Sequence, residues 1–462
     1  MTGPTITRRA LCAGLAAAAV ARPAFASPAS ELTARKASVQ IAPEGYPATE
    51  VWSYDGTIPG SLIRARQGAR LQRRLVNALD VPTSVHWHGI RIDNAMDGVA
   101  GLTQDPVAPG AVFDYDFALP DAGTYWYHAH TNSMEQVARG LSGPLIVDEP
   151  EAPDVDRDEI LMLDDWLLDP ETGGFIEPIG HPMMMSHGGR TGNLVGVNGR
   201  YDFALTSRRH DRLRLRLINA ANARIFVLRL QGMVGWTVAL DGMPLDTPEA
   251  LAGEIILAPA QRIDLIVDVI AEEGEPAGLL MQQDDDGWVA LADMTISGSS
   301  ARAARPAPKA LPPNPRTDLP ELAGARQLEM AMEGGAMAGM ESAVFEGQRL
   351  GLRELASRGQ FWALAGQAGR SDTPFASLSR GETVRLRLTN ETVFPHAMHL
   401  HGMHFREIRA DGSLGPLRDT ILSLPQVPLE IAFASDNPGK WLFHCHMLAH
   451  AASGMTTWIE VA

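Results

Sequence analysis

Fourteen histidines are spread over 462 residues, and eight of them fall into four His-x-His pairs: His86/His88, His128/His130, His399/His401 and His444/His446. Composition alone would give roughly 0.4 such pairs. In an extended strand residues i and i+2 face the same way, so each pair presents two imidazoles in one direction. Imidazole suits copper, zinc, iron and nickel. The last pair brackets a thiol, His444-Cys445-His446, and the same period sends Cys445 to the opposite face. His396 precedes His399 by three residues, an odd offset that lets it face away from its pair. His450 and Met455 follow Cys445 by 5 and 10 residues. Two histidines, a cysteine and a distant methionine describe a blue-copper electron-transfer site, with the methionine as a weak axial ligand. One strand would then serve two metal sites, one per face. A His/Cys zinc site is the alternative; it leaves Met455 and eight further histidines without a role.

The elements that carry these pairs follow from a repeat. Leu71–Asn77, Leu213–Asn219 and Val384–Asn390 share a pattern ending in Asn, a turn former. The second and third alternate apolar and polar residues, the period of a half-buried strand. His86 and His88 lie 9 and 11 residues after Asn77, and His399 and His401 lie 9 and 11 after Asn390. The same offsets from Asn219 land on Leu228 and Leu230. The middle copy thus keeps the strand without the histidines. The asparagines are 142 and 171 residues apart, and the excess matches a Pro- and Ala-rich stretch including Leu311-Pro-Pro-Asn-Pro315. Three similar β domains are expected at 36–150, 151–297 and 325–462, with a linker over 298–324. Strands at Ala111–Leu119, Ile255–Leu257 and Ile263–Val269, separated by Gly/Pro turns, point to antiparallel sandwiches.

His86-Trp-His-Gly89, His128-Ala-His130, His396-Ala-Met-His-Leu-His-Gly402 and His444-Cys-His-Met-Leu-Ala-His450 with Met455 resemble the motifs of the multicopper oxidases, the family of laccases and bacterial cuprous oxidases. The resemblance runs from end to end of the chain after its N-terminal leader. It implies an all-β fold of three consecutive cupredoxin-like Greek-key sandwiches and four copper ions as cofactor. By resemblance, His396, Cys445, His450 and Met455 hold the type 1 copper, and His86 and His399 the type 2 copper. His88, His128 and His446 hold one type 3 copper; His130, His401 and His444 hold the other. The three-copper cluster would lie between domains 1 and 3, with domain 2 a metal-free spacer. Ala129 and Thr83 stand in domain 1 where Cys445 and His396 stand in domain 3, so that copy has no type 1 site. The implied activity couples four one-electron oxidations to reduction of O2 to water, with Cys445, His444 and His446 as the conduit.

Asp97 follows His88 by nine residues and resembles the family's cluster-side aspartate, a proton donor; an Asp-Gly turn residue is the plainer alternative. Ala451 departs from relatives that carry a carboxylate directly after the type 1 histidine. Methionines form two groups, Met183, Met184 and Met185 in domain 2, and Met330, Met332, Met337 and Met340 after the linker. Thioethers are soft ligands suited to Cu(I), so these segments are candidates for collecting cuprous ion. Filling of irregular apolar contacts is the alternative. His181, His187, His210 and His404 fall outside the motifs and read as structural or surface residues.

Residues 1–26 read as a cleaved leader, with Arg8 and Arg9 before a ten-residue apolar stretch and Ala24-Phe25-Ala26 at its end. The paired arginines resemble a twin-arginine signal, with an ordinary secretory signal as alternative. Cleavage would remove Cys12 and three arginines, moving the net charge from −16 to −19 and leaving Cys445 as the one thiol. That charge argues against nucleic acid as a partner. No later stretch is long and apolar enough for membrane insertion. A periplasmic monomer acting on O2 and either Cu(I) or small aromatic reductants is expected, with Cu(I) oxidation in copper tolerance the leading function. A laccase-like oxidase of phenols or aromatic amines, and a non-enzymatic cell-envelope protein on the same fold, are the alternatives.

Overall fold

The structure is a computed structural model that describes residues 30–283, 287–300, 304–315, 322–337 and 339–462. The leader and Cys12 lie outside the described residues. Three β-sandwiches follow one another along the chain, and each is built around one copy of the Asn-terminated strand.

That strand is Arg70–Asn77, then Arg212–Asn219, then Thr383–Asn390. Each copy lies antiparallel to a later strand: Val112–Ala118, Arg262–Val269 and Leu429–Ala434. Each also pairs in parallel with an earlier strand: Ser30–Val39, Arg157–Trp166 and Arg326–Gly334. The sandwiches are therefore mixed rather than purely antiparallel, because apolar alternation reports which face is buried and not which way a neighbour runs. A second sheet closes each sandwich. In the first unit it contains Ile63–Arg66, Ser142–Asp148, Gly123–Ala129 and Val85–His88. In the third it contains Ala376–Leu378, Thr456–Val461, Gly439–Cys445, His396–Leu400 and Thr420–Ser423.

The asparagine does the same work three times. Asn77 Nδ2 donates to the Val81 and Val107 carbonyls, Asn219 Nδ2 to Arg224 and Leu257, and Asn390 Nδ2 to Phe394 and Ser423. Its Oδ1 accepts the amide two residues on, from Leu79, Ala221 and Thr392. All three are buried. This Asx turn fixes the corner from which the chain enters the second sheet, where the metal-ligating residue types sit.

The middle strand departs from the half-buried expectation: all eight of its residues are buried. Leu213, Leu215 and Leu217 face the core of the second sandwich. The arginines between them are buried too, paired with carboxylates: Arg212 with Asp268 at 2.6 Å, Arg214 with Glu149 at 2.7 Å and Asp264 at 2.6 Å, and Arg216 with Asp158 at 2.7 Å. A buried charge is tolerated only with such partners. Residues 304–315 form no regular element but are tied down. Leu311 is buried against Val238, Ala239 and Ile266, and Asn314 bridges Gln67 and Ala122 of the first sandwich. The helices are short, Ser133–Ala138, Pro182–Ser186, Leu352–Ser357 and Leu448–Ala452. Among the described residues no helix is long and apolar enough to cross a membrane.

Candidate metal centre

Strand register assembles the histidines. In the first sandwich His86 pairs directly with His128 across the sheet. In the third, His399 pairs with His444, while Met398 pairs with Cys445. Neighbouring positions face opposite ways, so His399 and His444 point to one side and Cys445 to the other. The first and third sandwiches meet on the histidine side, and eight buried or half-buried histidines converge there.

Three sets of ring nitrogens, His86/His88/His399, His88/His128/His446 and His130/His401/His444, each lie mutually within 4.8 Å. Hydrogen bonds fix which nitrogen points inward. His86 Nδ1 donates to the Asp97 carbonyl at 2.9 Å, and His399 Nδ1 donates to the Asp419 carbonyl at 2.9 Å. His88 is turned the other way, its Nε2 donating to Asp419 Oδ1 at 3.2 Å. His86 Nε2, His88 Nδ1, His130 Nε2 and His399 Nε2 are buried with no protein partner. His401 Nδ1 donates to Asp97 Oδ2 at 3.0 Å and His444 Nδ1 to the Cys445 carbonyl at 2.9 Å. Both of their Nε2 atoms therefore carry lone pairs, yet they face each other at 3.2 Å. Lone pairs at that distance repel, and buried unpartnered nitrogens cost free energy. A cation among them removes both penalties, so this donor set fits a metal cluster.

On the other face, His396, Cys445 and His450 form a second group within the same limit. Cys445 Sγ is 3.7 Å from each Nδ1, and the two Nδ1 atoms are 3.1 Å apart. His396 Nε2 donates to Thr392 Oγ1 at 2.8 Å and His450 Nε2 to the His187 carbonyl at 2.6 Å. The Nδ1 lone pairs again face one another beside sulfur, as they would around copper. Met455 is buried and its carbonyl accepts the Cys445 amide at 3.1 Å. Trp362 lies against His450 with ring centroids 4.3 Å apart.

Electrostatics keep the donors ready. Burial first, then repulsion between neighbouring rings, holds His88, His128, His130, His401 and His446 well below the usual imidazole range. Burial takes His444 to about 3 and His450 to about 4. Neutral imidazole is the ligating form. Burial also pushes the Cys445 thiol up to about 12, so forming its thiolate needs a cation alongside.

Asp97 is buried between His86 and His401. Gly98 after it has φ +82, and a Cβ there would collide with the Val85 carbonyl. The Asp-Gly turn and the contact with the cluster are thus one feature.

The methionines divide. Met183 is 64% exposed and Met337 72% exposed, while Met184 and Met185 are half-buried. Met330 and Met332 are core residues on the strand Arg326–Gly334, and Met340 belongs to a small satellite core. For Met330 and Met332 the Met-x-Met spacing is strand alternation with the side chains turned into the core, and Met340 is buried in its own small core, so none of the three is open to solvent to collect cuprous ion. The helix Pro182–Ser186 sits on the Cys445 site: Met185 O accepts from Trp362 Nε1 at 2.6 Å and from Ser453 Oγ at 3.1 Å, and Ser186 O accepts the Ala336 amide at 2.8 Å. His181 caps that helix, and His187 ends it.

Several residues around the centre had no signature in the sequence. Asp419, Thr392, Trp362 and the His187 carbonyl act on ligand rings but belong to no spaced motif. His404 is buried, 3.7 Å from Asp419.

Family models described as multicopper oxidase match residues 36–152 and 348–462. Multicopper oxidase MmcO of Mycobacterium tuberculosis is 30% identical, over 97% of this chain and 90% of its own length. The chain belongs to the multicopper oxidase family. A multi-copper oxidase from Pseudomonas thermotolerans superposes with a TM-score of 0.81 at 34% identity, covering 94% of this chain and 98% of the other. Lac15 from a marine microbial metagenome gives 0.76 at 42% identity, covering 94% and 100%. A copper resistance protein A homolog of Pseudomonas syringae is 26% identical over 90% of this chain and 89% of its own length. This multicopper oxidase is accordingly a copper-dependent oxidoreductase that uses O2 and reducing substrates, built on cupredoxin-like domains.

Proposed function

We propose that this oxidase holds four coppers and that its physiological reductant is Cu(I). His396, Cys445, His450 and Met455 hold the type 1 ion; His86 and His399 the type 2 ion; His88, His128 and His446, and His130, His401 and His444, the type 3 pair. Bound there, copper supplies one-electron oxidation of the reductant and four-electron reduction of O2 to water. The protein's own contribution is placement. Cys445 joins the two sites covalently through His444 and His446, its chain neighbours. Asp97, which accepts from His401 Nδ1, stands where it can relay protons to the cluster. A cavity of about 330 Å³ lined by His130, His444, Arg370 and Ala451 among others brings O2 and solvent to the cluster where relatives place a carboxylate. Domains 36–150 and 325–462 carry the ligands, and export to the periplasm by the leader follows the same reading.

The observation that carries the Cu(I) assignment is the cover over His450. Its Nε2 is already bonded to the His187 carbonyl and its ring lies against Trp362. No ring nitrogen is left for a phenol hydroxyl. The covering segment instead offers the exposed thioether of Met183, and Ser186 ties it to the turn bearing the exposed Met337. Copper content, the visible and EPR spectra, and O2 uptake with Cu(I) and with a phenol test the proposal. Met183→Ala with Met337→Ala should lower Cu(I) turnover several-fold and leave phenol turnover unchanged or raised. Unchanged Cu(I) turnover would refute the substrate assignment, and fewer than four coppers in folded protein would refute the cofactor assignment.

A further inference from the structure

The middle sandwich carries no histidine at the positions matching His86 and His88, yet it reaches the cluster. Arg262 begins its strand Arg262–Val269 and is fully buried. Its Nη1 and Nη2 donate to Asp419 Oδ1 at 2.9 Å and Oδ2 at 2.6 Å, a two-pronged pair. Its Nε donates to the Thr124 carbonyl of the first sandwich at 3.2 Å. Its own amide is held by Asp241 Oδ1 at 2.9 Å, and Asp241 Oδ2 in turn accepts Arg418 Nε at 2.9 Å. One guanidinium thus touches all three sandwiches.

Asp419 transmits that hold to two candidate ligands from different domains. Its Oδ1 accepts His88 Nε2, leaving Nδ1 turned inward, and its carbonyl accepts His399 Nδ1, leaving Nε2 inward. The two rings stack with centroids 3.8 Å apart. Gly89, directly after His88, keeps the space open. It has φ +86, and a Cβ there would meet Arg262 Nη2 and lie 2.7 Å from Asp419 Oδ2. The glycine of the His-Trp-His-Gly motif therefore makes room for an arginine that lies far away in the chain.

We infer that Arg262 and Asp419 are positioning residues that set the ring orientation of His399, a type 2 ligand, and of His88, a ligand of the adjoining type 3 ion, and so fix the corner of the cluster where the type 2 ion sits. This rests on the copper assignment above and adds to it a role for the domain expected to be only a spacer. Partners outside the ligand shell typically change metal affinity by about 10–100-fold. A buried ion pair contributes little net stability and is better suited to fixing geometry.

Arg262→Lys keeps the charge and loses the fork; Asp419→Asn keeps the shape and loses the charge. Each is compared with wild type for copper per chain, type 2 EPR signal, cluster affinity against a chelator, and the blue band of the Cys445 site. That band lies on the opposite face and reports folding. The expected result is an intact blue band, the type 2 signal lost, about three coppers where wild type holds four, and affinity lower by about 10–100-fold. A wild-type copper count, type 2 signal and affinity in both variants would overturn the inference. So would joint loss of the blue band and of folded circular dichroism in both, which would make the network a brace for the fold alone. A wild-type protein without a type 2 signal would instead refute the copper assignment, a separate result.

Discussion

Loading a metal at Cys445 should release one proton at pH 7. Burial lifts the thiol to about 12, so it is protonated in the metal-free protein. Burial lowers His450 to about 4 and His396 well below its ordinary 6.5, so both rings are already neutral. Only the thiol proton must leave when thiolate, Nδ1 and Nδ1 close on a metal. Thiol ionisation five units below its pKa opposes binding by about 7 kcal/mol. Apparent affinity should rise about tenfold per pH unit across neutrality, because higher pH favours the thiolate. Titration calorimetry of metal-free protein with cobalt(II), in buffers of different ionisation heat, counts the protons. Subtracting the Cys445→Ser protein removes the contribution of the histidine cluster. A difference of one proton is expected. A difference of zero would mean a preformed thiolate, and two or three would mean protonated rings; either refutes the argument from burial.

Cys445→Ser should itself abolish the blue colour and O2 reduction while the far-ultraviolet circular dichroism stays unchanged; a blue mutant protein would refute the ligand assignment. Acid should destabilise the metal-free protein. His450 is depressed in the fold, so its stabilising effect is complete above the unfolded value of 6.5 and is lost as pH falls towards about 4. That is worth about 2 kcal/mol between pH 6.5 and 5 from this residue alone. Urea midpoints that do not fall over that interval would contradict it, and copper-loaded protein should be less sensitive. Asn219→Ala removes three buried hydrogen bonds at the corner of the middle sandwich and should cost about 3 kcal/mol, read as a lower unfolding midpoint with the copper content retained.

The ligand-bearing part of the centre was legible because it obeys local rules. Four His-x-His pairs at matched distances from a repeated asparagine place themselves once the asparagine makes its turn. What stayed hidden depends on residues distant in the chain. Arg262 and Asp419 are 157 positions apart and belong to no pattern. The burial of Arg212, Arg214 and Arg216 was invisible because alternation implies water on the polar face, whereas here Asp158, Asp264 and Asp268 of the same sandwich lie there, joined by Glu149 and Thr124 of the first. Met330 and Met332 were misplaced for the opposite reason. Their spacing already carried the strand period, but the softness of sulfur drew them towards metal chemistry.

The cluster draws its histidines from both ends of the described chain. His128 and His446 face each other at 3.4 Å although they are 318 positions apart in the chain. Cys445 is the one free cysteine among the described residues, so no disulfide it could form secures that closure within them. A metal shared by these rings turns an open chain into a closed loop. By the loop-closure relation for a covalent cross-link, a ring of that size is worth about 6 kcal/mol of lost unfolded-chain entropy. Copper is in this sense the clasp of the molecule as well as its redox cofactor. The buried residues of the first and third sandwiches form one continuous core, so stripping the metal should lower the unfolding midpoint of those two together, ahead of the middle sandwich with its separate core.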